Sequence, residues 1–204
     1  MEGPSEEALL PAFSATLSHD LDALGITVCS VDGVDFEPYV KLATLLEIPF
    51  SVITDWDPSV GGNALGWARA KKLLLTNREF GGKVDATPEQ IERLDAEEDF
   101  LRVSARNHSI YLNTTTLETE LAQDPDLASV LLSILSEQTS FGQTLKNRIA
   151  KYQANHFEIV PEKLMLMIGY VGKGRFSREL AKRIGEIEPP AYIKQAIENV
   201  VAKV

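Results

Sequence analysis

The residues of this chain best suited to chemistry are acidic and lie in two places. Thr54-Asp55-Trp56-Asp57-Pro58 follows the apolar run Ile48 to Thr54. A short, continuously apolar run of this kind predicts a buried parallel strand. In open α/β sheets ligands bind beyond the carboxyl ends of strands, where Asp55 stands. Two carboxylates one residue apart in such a loop can both turn toward one hard cation, and Mg²⁺ takes oxygen ligands while keeping several waters. The same residues also fit an acidic turn in which Asp57-Pro58 starts a bend. The second place is Glu2-Gly3-Pro4-Ser5-Glu6-Glu7. Glu2 stands where a preceding strand would end, and Glu6 falls in the first turn of a helix. A bend at Gly3 would let both face the Asp55 loop. Taken alone, this run reads as a helix with acidic residues at its positive dipole end.

Other chemistries lack their residues. His19, His108 and His156 have no spacing that suggests a zinc site, and Ser5, Ser51 and Ser59 have no paired histidine for nucleophilic catalysis. No G-x-x-x-x-G-K-[ST] occurs, so no P-loop for ATP is expected. The net charge of −10 argues against a general nucleic-acid coat protein, but it is unevenly spread. Between Lys146 and Arg183 basic residues predominate. Of these, Arg148, Lys151, Arg175 and Arg178 are candidates for contacts to a DNA backbone; solvated helix faces are the plainer alternative. A single cysteine, Cys29, lies in an apolar run and is expected to pack as a small hydrophobe. With no disulfide possible within the chain, a reducing, cytoplasmic setting is the natural reading. No apolar stretch approaches the roughly 20 residues of a membrane helix, and the first residues resemble no signal peptide.

The elements that must position the acidic groups alternate in the first half of the 204 residues. Helices are predicted at Ser5–Leu17 (bent or interrupted by Pro11), Phe36–Glu47, Ala64–Leu75 and Pro88–Phe100, the last capped by Thr87. Strands are predicted at Ile26–Val31, Ile48–Thr54 and Ser109–Asn113, with loops at Gly61-Gly62-Asn63 and at Phe80-Gly81-Gly82-Lys83. This alternation implies an α/β layer with a mostly parallel sheet flanked by helices. Beyond Thr116 only helices are expected, at 127–135, 143–153, 161–170, 176–184 and 190–202. The chain is accordingly divided into an α/β core, 1–121, and an all-helical region, 122–204. The later part of that region, from about 170, is expected to pack back near the acidic groups.

A Glu-Gly pair after a strand, a βα unit, and Asp-x-Asp after a later buried strand together resemble the Toprim fold. The run from Glu2 through Glu6 to Pro11 resembles one family in particular, the OLD (overcoming lysogenization defect) nucleases. In these an ATPase domain precedes a C-terminal Toprim nuclease. The resemblance continues at 48–57, at Thr116-Leu117-Glu118-Thr119-Glu120-Leu121, and at Gly172-Lys173-Gly174-Arg175-Phe176-Ser177-Arg178-Glu179-Leu180. It implies a C-terminal nuclease region without its ATPase partner. Its metal ligands would be Glu2, Glu6, Asp55, Asp57 and Glu118, and Lys173 would stand near the scissile phosphate. Glu2, Asp55 and Lys173 would be the catalytic residues. The reaction implied is hydrolysis of DNA phosphodiesters with Mg²⁺ or Mn²⁺, by two ions, with a single-ion version left open. Glu120 is not assigned, and Asp32 is read as a turn residue. Two other readings stay open. One is a haloacid-dehalogenase-like phosphatase with Asp55 as nucleophile; the other is a non-catalytic Toprim module that binds metal or DNA. Nothing in the sequence fixes the oligomeric state.

Overall fold

The computed structural model describes residues 1–59, 64–81 and 86–204. The expected loop at Gly61-Gly62-Asn63, and Gly82 and Lys83 of the second, lie outside the described residues.

Helix α1 (Pro4–Thr16) starts at a proline, whose missing N–H costs nothing in a first turn, and carries Glu6 and Glu7 there. It buries Leu9, Leu10 and Phe13 and runs on through Pro11 rather than ending at it. Helix α2 (Glu37–Leu45) follows, then strand β1 (Val52–Thr54) and helix α3 (Leu65–Phe80). Next come α4 (Pro88–Ala96) and α5 (Glu98–Arg106), strand β2 (Ile110–Leu112) and α6 (Leu117–Gln123). The C-terminal helices are α7 (Pro125–Ser136), α8 (Gln143–Ala154), α9 (Pro161–Val171), α10 (Lys173–Ala181) and α11 (Ala191–Val201). A single 3₁₀ turn, His156–Glu158, precedes α9.

The two strands pair in parallel, Val52 with Ile110, Ile53 with Tyr111 and Thr54 with Leu112. Because side chains alternate along a strand, neighbours face opposite sides. Val52 and Ile110 enter one core, with Phe36, Val40, Trp56, Leu73, Leu74 and Leu101. Ile53 and Tyr111 enter the other, with Phe13, Leu117, Leu131, Met167, Phe176 and Ile193. The sheet is thus a thin middle layer with helices on both faces, an α/β architecture. Helix α10 packs along α1, and α11 packs against α1, β1 and β2.

Three expectations are corrected. Residues 26–31 are not a regular strand. Ile26 N donates locally to Leu21 O. The long-range backbone bonds of this stretch and of Gly33 just after it go to the chain start, Met1 N donating to Cys29 O, Val31 N to Met1 O and Gly33 N to Glu2 O; a ladder needs a longer partner. Among the described residues the sheet therefore has two strands. Cys29, for the same reason, is exposed rather than packed. The helix expected over 88–100 is two helices, broken at Glu97, whose backbone is extended (φ −115°, ψ 106°). The Thr87 cap does form, as a capping box with Gln90. No helix among the described residues is long and apolar enough to cross a membrane.

Candidate functional site

The carboxyl end of β1 carries the site. The chain leaves Thr54 and is caught at once by Glu2: Asp55 N donates to Glu2 Oε1 at 2.9 Å, and the Thr54 hydroxyl donates to the same oxygen. A residue from the chain start is in this way tied to the end of a strand 50 residues on. Asp55 Oδ1 accepts from Leu117 N at 3.1 Å and from the amide of Asn113, which stands at the end of the neighbouring strand. Asn113 Oδ1 accepts in turn from Trp56 N at 2.8 Å, so one buried amide fixes both the loop and the carboxylate in it. Asp57 takes a left-handed backbone (φ +49°), which aspartate tolerates better than most residues, and its N–H donates to Thr115 O at 3.0 Å.

Helix α3 sets the far wall. Its first turn lies flush on the loop, Leu65 N donating to Asp57 O and Gly66 N to Trp56 O. A Cβ on Gly66 would stand 2.5 Å from Asp55 O and 2.7 Å from Trp56 O, so only glycine admits this approach. One turn later Arg69 emerges beside the acids. Its guanidinium donates to Glu2 Oε1, to Thr54 Oγ1 at 2.5 Å and to Asp57 Oδ2 at 2.7 Å.

Glu6, in the first turn of α1, and Glu118, in that of α6, are both buried. Lys173 begins α10 just after Gly172, whose φ of +91° allows the chain to turn out of α9. Its Nζ reaches Glu118 Oε1 at 3.3 Å. The electrostatics follow from this division of partners. Arg69 answers Glu2 and Asp57, Lys173 answers Glu118, and among the described residues Asp55 and Glu6 have no ion-pair partner. Burial, reinforced by the charge of Glu2, pushes Asp55 up to about 7. Burial also raises Glu6, with the charges of Glu2 and Glu118 adding to it. Tyr192 of α11 lies close behind, and burial and then the Asp55 charge keep its phenol well above the ordinary value.

The residues singled out in the sequence thus gather from four segments of the chain: Glu2 and Glu6, Asp55 and Asp57, Glu118, and Lys173. Among the described residues no three carboxylate, thiolate or imidazole groups stand in a geometry that could hold one ion. The donor chemistry nevertheless suits a hard divalent cation. The candidate ligands are all oxygen, and Asp55 and Glu6 are crowded acids whose ionisation such a cation would favour. Of the basic candidates, Arg175 and Arg178 are exposed on α10. Arg148 and Lys151 lie on α8, Lys151 paired with Glu158 at 2.6 Å. Glu120 accepts from Thr114 N at 2.6 Å and serves the β2–α6 turn. Asp32 has φ +49° and meets the Ser30 hydroxyl at 3.2 Å, as a turn residue would.

Sequence reasoning missed Arg69 and Asn113. Asn113 had a signal, since it ends a strand on the same edge as Asp55. Arg69 had none, because only the packing of α3 on the loop brings it there.

Comparison with known proteins gives a consistent result. The model of the family "Overcoming lysogenization defect protein-like, TOPRIM domain" matches residues 1–57. The C-terminal region of the Burkholderia pseudomallei OLD protein superposes with a TM-score of 0.84 at 34% identity, over 99% of this chain and 95% of that one. The C-terminal region of the Xanthomonas campestris pv. campestris OLD protein gives 0.83 at 32% identity, over 99% and 92%. No curated protein matches in sequence.

Proposed function

Because this chain belongs to the OLD family, as a Toprim-bearing C-terminal region, we propose that it is a metal-dependent nuclease hydrolysing DNA phosphodiesters. The observation that carries the reading is the gathering of Glu2, Glu6, Asp55, Asp57, Glu118 and Lys173 at one end of β1. The five carboxylates are the proposed ligands of Mg²⁺ or Mn²⁺, in number enough for two ions. The chemistry a divalent ion supplies in such a site is a more acidic water and a stabilised leaving oxygen.

The chain's own residues have distinct tasks. Asn113 and Leu117 N hold Asp55 Oδ1, which leaves the other oxygen of Asp55 for a ligand. Glu2 is oriented by the backbone of the very loop whose aspartates it joins. Lys173 is 53% exposed, against 5% for Glu118, so its ammonium can swing from that carboxylate to a phosphate oxygen of bound DNA. There it would offset the charge that grows in the transition state. Arg175 and Arg178, further along α10, and Arg148 and Lys151 on α8 are proposed to bind the flanking DNA backbone. In the full-length protein an ATPase domain would be the partner of this region. The helical region from 122 on, with its part from about 170 against the core, is proposed as the unit that carries these basic groups.

A plasmid assay tests the reading. The chain should nick or degrade DNA with Mn²⁺ or Mg²⁺ and not in chelator, and ATP should make no difference. Cleavage that persists in excess chelator would defeat it.

A further inference from the structure

The function proposed above gives Arg69 no task, yet among the described residues no other basic side chain is so completely engaged with the site. It is 10% exposed, and its guanidinium donates to Glu2, Thr54 and Asp57, with the Asp55 carbonyl at 3.5 Å. Lys173, by contrast, is half exposed and reaches one carboxylate. Lys173 and Arg69 are therefore held differently, one half exposed on a single carboxylate and one locked among several acceptors.

The lock is built into α3. Gly66 seats the helix on the Asp55–Trp56 backbone, and this approach sends the side chain one turn later between the two acidic motifs. A guanidinium is a planar fork of donors that does not lose its proton, so it spans Glu2 and Asp57 together in a way one ammonium cannot. Glu2 and Asp57 are also two of the carboxylates proposed to bind divalent metal. A dication and a guanidinium cannot both lie between them without strong repulsion at close range.

We propose that Arg69 is the resident counter-cation of this site. It holds Glu2 and Asp57 while no divalent ion is bound, and must yield them before an ion can take both, so it lowers the site's affinity for divalent cations. This rests on the metal-site reading and adds a built-in competitor to it. Glu6 and Asp55, the acids Arg69 leaves unanswered, then offer the first foothold to an incoming ion.

Calorimetric titration with Mn²⁺ and melting in chelator test this without recourse to cleavage. Arg69→Gln should bind Mn²⁺ at least tenfold more tightly than the parent. It should also melt lower in chelator, because Glu2 and Asp57 lose their partner, and gain more from Mn²⁺. Arg69→Lys keeps a charge but loses the fork, and should bind Mn²⁺ a few-fold more tightly. It carries the test by itself if the glutamine variant does not fold. Binding by the variants that is equal to or weaker than the parent's would overturn the proposal and make Arg69 a scaffold for Glu2. If in that case the parent still binds Mn²⁺ and Asp55→Asn abolishes the binding, the metal site stands and only the role of Arg69 is removed. If neither parent nor variants bind Mn²⁺, both readings fall together.

Discussion

Single side chains in the site differ by what answers their charge, and this predicts their behaviour with pH. Asp55 titrates near 7 when folded and near 4 when unfolded, so in that window the folded chain holds more protons. In chelator its contribution to stability is therefore favourable at low pH and is lost as pH rises through 7. Asp55→Asn should raise the melting temperature relative to the parent at pH 8, and by clearly less at pH 5. Metal binding has the opposite trend, since a ligand must give up its proton; Mn²⁺ affinity should climb with pH up to about 7 and then level off. Lys173 is separable by kinetics. If it acts on the transition state, Lys173→Ala should slow single-turnover cleavage roughly 100- to 1,000-fold while DNA binding in Ca²⁺ changes little. Equal cleavage once bound would make it a residue of the α9–α10 turn. At this scale the acidic residues and Lys173 could be singled out as candidates, because each sits in a motif that resembles the family's, and the structure gathers them at one end of β1. Arg69 was not, since nothing in Ala68-Arg69-Ala70 distinguishes it from a solvated helix residue.

Among the elements, helices proved easier to read than strands. Those over 125–136, 143–154, 161–171 and 191–201 lie within a few residues of expectation, because their apolar spacing matches the face they bury. The strand expected over 26–31 has the right composition, but pairing depends on a partner elsewhere in the chain, and Met1 and Glu2 supply only three backbone bonds. The break at Glu97 was equally invisible, since Arg93 and Glu97 form the i,i+4 pair of an ordinary helix face. A prediction belongs here too. Gly66→Ala forces a methyl into the backbone of Asp55 and Trp56 and should destabilise the chain by about 1–3 kcal/mol. It should also tilt α3 off the loop and, by withdrawing Arg69, alter Mn²⁺ binding. An unfolding curve identical to the parent's would mean that α3 slides without consequence.

Over the whole molecule, the sheet separates two cores, and the acids collect where the sheet ends between them. The chain's net charge of −10 would repel DNA, so binding must come from local placement of the basic groups. Helix α10 offers the best such place. It starts with Lys173, lies along α1, which carries Glu6, and exposes Arg175 and Arg178, neither of which makes an ion pair among the described residues. Each phosphate they neutralise releases condensed counterions, and a single lost contact lowers the slope of log affinity against log salt by about 1. Arg175→Ala and Arg178→Ala should each show that loss in Ca²⁺, with a small effect on the rate once DNA is bound. Lys151 is a different case, because Glu158 already answers its charge at 2.6 Å, and breaking that pair to reach a phosphate costs part of the gain. Lys151→Ala should accordingly change the slope less than either arginine does. Measured slopes in which α8 matters more than α10 would move the DNA path away from the Lys173 end of the site, and the proposed role of Lys173 would fail with it.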